Sequence, residues 1–309
     1  MKTISIVIPV FFNESSLPKL FHAIIKLESR INKKGMGLEL IFVDDGSGDE
    51  SFSELIKIKA QRPATKIIKL SRNFGSIRAI KTGFRFVTGD CFTFLAADLQ
   101  DPPELIDQMI DQWLKGTKYI ICTRAKRDDP LLSQLFSKIF YKLVRLFVVK
   151  DFPKGGFDLF LLDKSMLPYM LQSGKNINIA LFTYALGYKP EMIPYHRQKR
   201  EYGKSRWTST KKLNYFIDSM MGFSIIPIHL ISMIGTFLAI ISFIYGLIVM
   251  VNVMISGAIV PGFAALATLI SFLFGLVLIM LGIIGEYLWR IFENTNGIPE
   301  TVIETTLLD

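Results

Sequence analysis

From Ser219 to Gly285 the chain carries no Asp, Glu, Lys or Arg. Two apolar spans within that stretch, Ile228–Val251 and Phe263–Gly285, are each long enough to cross a bilayer as a helix. Only Ser256-Gly-Ala-Ile-Val-Pro-Gly262 and a few flanking residues join them, which predicts a tight helical hairpin. Lys211 and Lys212 precede the first span, Arg290 follows the second, and the connecting loop is uncharged. The positive-inside rule therefore puts both termini in the cytoplasm. The excess within a hydrophobic content of 50% is concentrated in these spans, because the preceding part reads as an ordinary globular chain. The N-terminus, Met1-Lys-Thr-Ile-Ser-Ile-Val-Ile-Pro9, has no apolar leader and no cleavage site, and reads as the first strand of a cytosolic domain.

The formal net charge of +9 falls on that domain and on the membrane flanks, where it suits anionic lipid head groups, nucleotides or nucleic acid. The basic run from His196 to Lys212 adjoins the membrane and contains no nucleic-acid motif, which argues against the last of these. Cys91 and Cys122 lie in apolar, strand-like runs and read as buried thiols rather than a disulfide.

Strand-like runs at Ile4–Pro9, Leu38–Val43, Lys66–Leu70, Cys91–Leu95 and Tyr119–Thr123 alternate with helical segments, among them Ser76–Thr88 and Pro103–Leu114. Alternation of this kind predicts a mostly parallel α/β sheet with helices on both faces. Polar residues recur just after the strand ends: Asn13 and Glu14, Asp44 and Asp45, Arg72 and Asn73, Asp98 and Gln100, and Arg124. Any one of them could cap a helix, but five in succession along one sheet edge are better explained by one ligand site. The side-chain oxygens of Asp98, Gln100 and Asp101 suit Mg2+ or Mn2+, which can in turn hold a diphosphate. Neither a P-loop nor a dinucleotide-binding glycine motif is present, so a metal and basic side chains would have to hold any phosphates.

The segment Leu131–Val148 gathers its apolar residues on one helical face and Lys138, Lys142 and Arg145 on the other. It reads as a basic amphipathic helix at the membrane interface, with a core-facing helix as the alternative. Gly203-Lys-Ser-Arg-Trp207 offers two cations and a hydroxyl that can close over a phosphate, although attraction to anionic lipid explains the wider basic run equally simply.

Taken together, Ile8-Pro-Val-Phe-Phe-Asn-Glu14, Val43-Asp-Asp-Gly-Ser47, Leu70-Ser-Arg-Asn-Phe-Gly75, Ala97-Asp-Leu-Gln-Asp-Pro-Pro-Glu104 and Gly203–Trp207 resemble the family 2 glycosyltransferases. Within that family they resemble the polyprenyl-phosphate group of dolichol-phosphate mannose synthase and the bactoprenol glucosyltransferases. The resemblance implies a GT-A-like fold and a Mg2+- or Mn2+-dependent, inverting transfer from a nucleotide sugar, such as UDP-glucose, to a lipid phosphate such as undecaprenyl phosphate. The product would serve cell-envelope glycan modification. The resemblance also implies that Pro9, Glu14, Asp45 and Gly75 hold the nucleotide, and that Asp98 and Gln100 bind the metal. Asp158 would lie beside the reacting centre, with Arg124, Lys204, Ser205 and Arg206 on phosphate. Asp98, Asp158 and Arg206 would be the catalytic set. A homo-oligomer, with a tetramer among its forms, and a place in the inner membrane are further implications.

The corresponding division is a catalytic domain over 1–207 with its interfacial helix near 131–148, a juxtamembrane segment over 208–227, two transmembrane helices over 228–292 and a cytoplasmic tail over 293–309. The chain departs from the family pattern at Ala96 and Phe160, where an acid and an arginine are usual, and by one extra residue between Pro9 and Asn13. Competing readings are a transferase acting on another membrane lipid, and a catalytically silent membrane scaffold that binds nucleotide sugar or polyprenyl phosphate.

Overall fold

The computed structural model describes residues 1–126, 131–175, 177–196, 209–224, 226–256 and 262–308. The chain forms two units, Met1–Ser219 with Ile298–Asp309, and Met220–Gly297.

The first unit begins with β1 (Lys2–Val10), α1 (Leu17–Lys33), β2 (Met36–Asp44), α2 (Ser51–Gln61), β3 (Lys66–Leu70), α3 (Ser76–Phe84), β4 (Cys91–Phe94), α4 (Glu104–Leu114) and β5 (Tyr119–Lys126). It continues through α5 (Leu131–Phe147), β6 (Phe157–Asp163), α6 (Leu167–Gln172), α7 (Ile179–Ala185), β7 (Glu191–His196) and most of α8 (Ser209–Phe223), and it recovers β8 (Ile303–Leu307) from the end of the chain. The strands form one sheet in the order β7-β5-β6-β4-β1-β2-β3-β8. β1 pairs in parallel with β2 and β4, β2 with β3, and β5 with β7, whereas β6 and β8 run antiparallel to their neighbours.

Side chains alternate across β1, as a strand with both faces covered requires. Ile4, Ile6 and Ile8 join Leu20 and Ile24 of α1 and Ile106 and Ile110 of α4 in one core. Val7 points the other way, toward α3, and a Cβ at Gly83 would lie 2.3 Å from its Cγ1, so only glycine admits that approach. Two boundaries differ from the sequence expectation. β1 runs through Pro9 to Val10. Proline costs no ladder bond there, because its missing N–H points to the β4 side, where pairing has ended at Val7 and Phe94. α3 stops at Phe84 rather than near Thr88, since the Thr88 amide and hydroxyl both donate to Glu39 on β2.

The second unit holds the end of α8 together with α9 (Ile226–Ser256) and α10 (Phe263–Thr295). Both long helices contain windows apolar enough to cross a membrane, Ile226–Val249 and Phe272–Thr295, with mean hydropathies of 2.2 and 2.1. Their apolar side chains are largely uncovered by protein, Phe243 being 73% exposed and Phe272 65%. A helix apolar all round and largely uncovered is suited to lipid. Gly235 admits Met280 of α10 against α9, and the Tyr287 hydroxyl donates to the Ser224 carbonyl at 3.0 Å.

Candidate active site

Because β6 alone among the neighbours of β4 and β5 runs backward, its first residues lie on the same sheet edge as the carboxyl ends of β1 to β5 and β7. Asp158, at the start of β6, therefore stands beside residues that end their own strands. In an open α/β sheet this is the edge that receives ligands.

At one end of the edge, Asp45 follows β2 and is almost fully buried. Its carboxylate accepts the backbone N–H groups of Phe74 at 2.7 Å and Gly75 at 2.9 Å, and so fixes the loop ahead of α3. Gly75 sits at φ 99°, where glycine is favoured. A side chain at Gly46 would come within 2.5 Å of the Arg72 backbone, so the two loops touch because that residue has none. Burial raises the Asp45 carboxyl above its ordinary value, and the two N–H donors offset part of the rise. Asp44 is fully buried, with Oδ1 accepting the Ser47 N–H and Oδ2 lacking a hydrogen-bond partner among the described residues; burial raises its carboxyl as well. Glu14 accepts the Glu50 N–H at 3.0 Å, which joins the loop after β1 to the start of α2. Pro9 stands in register with Val43.

The turn after β4 carries Asp98 and Gln100. Leu99 between them takes a left-handed conformation at φ 58°, and the Gln100 N–H donates to Asp98 Oδ1 at 3.2 Å. Asp98 and Gln100 therefore share one tight turn. Among the described residues there is no group of three His, Cys, Asp or Glu able to hold a metal by themselves.

Toward the other end of the edge, Arg124 near the end of β5 forms a two-pronged ion pair with both carboxylate oxygens of Asp158. Burial alone would lower the guanidinium pKa, but Asp158 more than offsets it and holds Arg124 charged. Tyr195 on β7 donates toward Asp101 Oδ1 at 2.7 Å and toward Asp158 Oδ2 at 3.0 Å. Burial, reinforced by the two acids, drives the phenol well above its ordinary pKa, so it remains a donor. Phe160, where the family pattern has arginine, is buried and packs edge-on against Phe94. Gly156 at φ 67° leaves room for the Tyr141 ring of α5, which stacks on Phe152 beside the approach to β6.

The structure thus brings Asp158 and Arg124 into direct contact and links Asp101 to them, while Asp45 and Gly75 meet through a hydrogen bond. Lys204, Ser205 and Arg206 lie outside the described residues. Tyr195 was not legible as a site residue, because a tyrosine at the end of an ordinary strand carries no spacing signal. α5 occupies the segment foreseen as amphipathic, with Lys138, Lys142, Ile139 and Leu146 exposed and Val144 fully buried.

The sequence pattern of Glycosyl transferase family 2 matches residues 5–152. An uncharacterized glycosyltransferase of Synechocystis sp. is 32% identical over 299 residues, covering 96% of this chain and 93% of that protein. A bactoprenol glucosyl transferase of Shigella phage SfX is 29% identical over 304 residues, covering 98% and 99%. Among solved structures, glucosyl-3-phosphoglycerate synthase from Mycobacterium tuberculosis matches with a TM-score of 0.50 at 15% identity, over 72% of this chain and 79% of that one, a likeness of fold. Fold, edge site and sequence agree on an enzyme that transfers glycosyl groups. The chain belongs to glycosyltransferase family 2.

Proposed function

We propose that this enzyme transfers a hexose, with inversion, from a nucleotide sugar such as UDP-glucose to a polyprenyl phosphate such as undecaprenyl phosphate. The observation that carries the reading is the union in one chain of a carboxylate-lined sheet edge with two membrane-length apolar helices. Likeness to a bactoprenol glucosyl transferase over 98% of the chain supports the acceptor and the sugar. Residues 1–207 form the catalytic part and 228–292 the membrane part in this reading. Lys211, Lys212 and Arg290 lie at the outer ends of the two spans, whose connecting loop is uncharged, which favours cytoplasmic termini, a cytoplasmic site and residence in the inner membrane. The family likeness favours a homo-oligomer.

In the reaction an acceptor phosphate oxygen attacks the anomeric carbon from the face opposite the leaving diphosphate. The new carbon–oxygen bond forms as the old one breaks, and the nucleoside diphosphate departs. The acceptor needs no base, since a phosphate monoester loses its second proton with a pKa of about 6. Asp158, gripped by the Arg124 fork, presents a carboxylate suited to stabilising positive charge at the anomeric centre. Asp45 orders the loop that ends in Gly75, and this loop with Pro9 and Glu14 receives the nucleoside. Asp98 and Gln100 present a carboxylate and an amide on one turn, a donor set that fits a hard divalent cation and would leave phosphate and water oxygens to complete its shell. Mg2+ or Mn2+ held there would supply charge neutralisation for the diphosphate. Lys204, Ser205 and Arg206 would add phosphate contacts.

The test is to incubate the detergent-purified full chain with polyprenyl phosphate and a panel of radiolabelled UDP- and GDP-sugars. Label should enter the organic phase from one donor. If no donor labels the lipid, the reading fails.

A further inference from the structure

Three strands and the turn after β4 meet at the Arg124–Asp158 pair, and one side chain links them. Tyr195 stands in register with Arg124 on the neighbouring strand, and it reaches past β5 to Asp158 on β6. Adjacent strands lie about 4.8 Å apart, so that reach crosses two strand spacings and demands a long, rigid side chain. The same hydroxyl contacts Asp101, which belongs to the turn after β4 that also carries Asp98 and Gln100. Tyr195 is 6% exposed and Asp101 4%, so the phenol occupies the place that water would otherwise take between the acids.

A hydroxyl has one proton, so a single donor serves two carboxylates on different elements. Asp101 is buried and Asp158 partly so, and gathering two like charges around one phenol is a poor way to stabilise a sheet. Such local conflicts with packing concentrate at functional sites. Resting on the proposed transfer reaction, we infer that Tyr195 is a positioning residue. Its hydroxyl locks the 98–101 turn, which faces the donor diphosphate, at a fixed separation from Asp158, which faces the anomeric carbon. The two halves of the site would then move as one body. Neither the phenol nor Asp101 need touch substrate for this to hold.

Tyr195→Phe keeps the ring and removes the bridge. With the full-length enzyme in detergent, kcat should fall on the order of 10- to 100-fold, since small misplacements of reacting groups carry costs of this size. The donor KM should stay within about twofold, because contacts common to ground and transition states are kept. Hydrogen exchange followed by mass spectrometry should show peptides covering 95–101 losing protection by about tenfold, with the β1 and β2 peptides unchanged. Unchanged kcat, or unchanged exchange at 95–101, would overturn the inference. Loss of protection throughout the sheet would also overturn it, by showing that the hydroxyl only holds the fold. Should the wild-type enzyme transfer no sugar to polyprenyl phosphate, the functional reading fails by itself, and the exchange comparison still decides whether Tyr195 locks the turn.

Discussion

Both carboxylate oxygens of Glu300 lie against the Lys81 ammonium, at 2.8 and 2.9 Å. Lys81 belongs to α3, while Glu300 follows the last membrane-length helix, so the pair fastens the end of the chain to the catalytic unit. Thr82 and Thr301 share a hydrogen bond at 2.8 Å beside it, and the Ser71 N–H donates to the Val302 carbonyl. β8 then extends the sheet along β3, whose far end leads into the loop held by Asp45. Burial pulls the Lys81 pKa below its ordinary value, and Glu300 offsets part of that fall.

Glu300→Gln leaves the buried ammonium without its counter-charge. Breaking a buried pair by removing one partner costs about 3 kcal/mol or more. Thermal unfolding of the detergent-solubilised protein should shift down accordingly, and Lys81→Met combined with Glu300→Leu should recover part of the loss. A single variant as stable as the wild type would show that the pair contributes nothing.

Arg124→Lys keeps the charge but loses the planar fork that grips both oxygens of Asp158. Turnover should fall on the order of 10²-fold with the protein still folded, and Arg124→Met should fall further because Asp158 is left uncompensated. Equal turnover in the lysine variant, measured as steady-state transfer, would mean that the fork geometry is irrelevant.

Asp98→Asn removes the charge of the turn while keeping its shape. Loss of a contact of this kind costs on the order of 10²–10³ in rate. The check is turnover titrated against Mn2+. A wild-type rate at limiting metal would remove Asp98 from the role of principal ligand.

The repeating strands and the edge they share were legible because apolar runs such as Leu38–Val43 end abruptly in acids. The order of strands was less so. β6 inserts antiparallel between β4 and β5, and nothing local in Phe157–Asp163 announces which neighbours it will find. That insertion is why Asp158 meets Arg124, so the family likeness supplied a role for Asp158 but not its partner. β8 is hidden in the sequence for the same reason. Ile303-Glu-Thr-Thr-Leu307 is short and polar, and it becomes a strand only through the free edge of β3. Tyr195 and its two acids are likewise a product of long-range pairing.

Glu39 predicts a pH effect away from the site. Burial by itself would raise this carboxyl, but hydrogen bonds from Lys66, Ser5 and Thr88 outweigh it and hold the pKa below the ordinary 4.5. A carboxyl lowered in the folded state stabilises the fold fully above its ordinary value and loses that contribution as pH falls through the lowered one. Glu39→Gln should therefore cost about 2 kcal/mol near neutral pH. The gap from wild type should narrow as pH falls below 4.5 and close once the carboxyl is protonated. Unfolding curves for the two proteins across that range provide the check, and a gap independent of pH would contradict the assignment.

The proposed reaction requires a lipid monophosphate as acceptor. The most direct measurement offers the full-length enzyme its labelled donor with polyprenyl phosphate, the dephosphorylated polyprenol or diacylglycerol in parallel, and reads the anomeric configuration of any product by NMR. Transfer should occur to the phosphate alone, with the configuration inverted relative to the donor. Transfer to either unphosphorylated lipid, or a product of retained configuration, would contradict it.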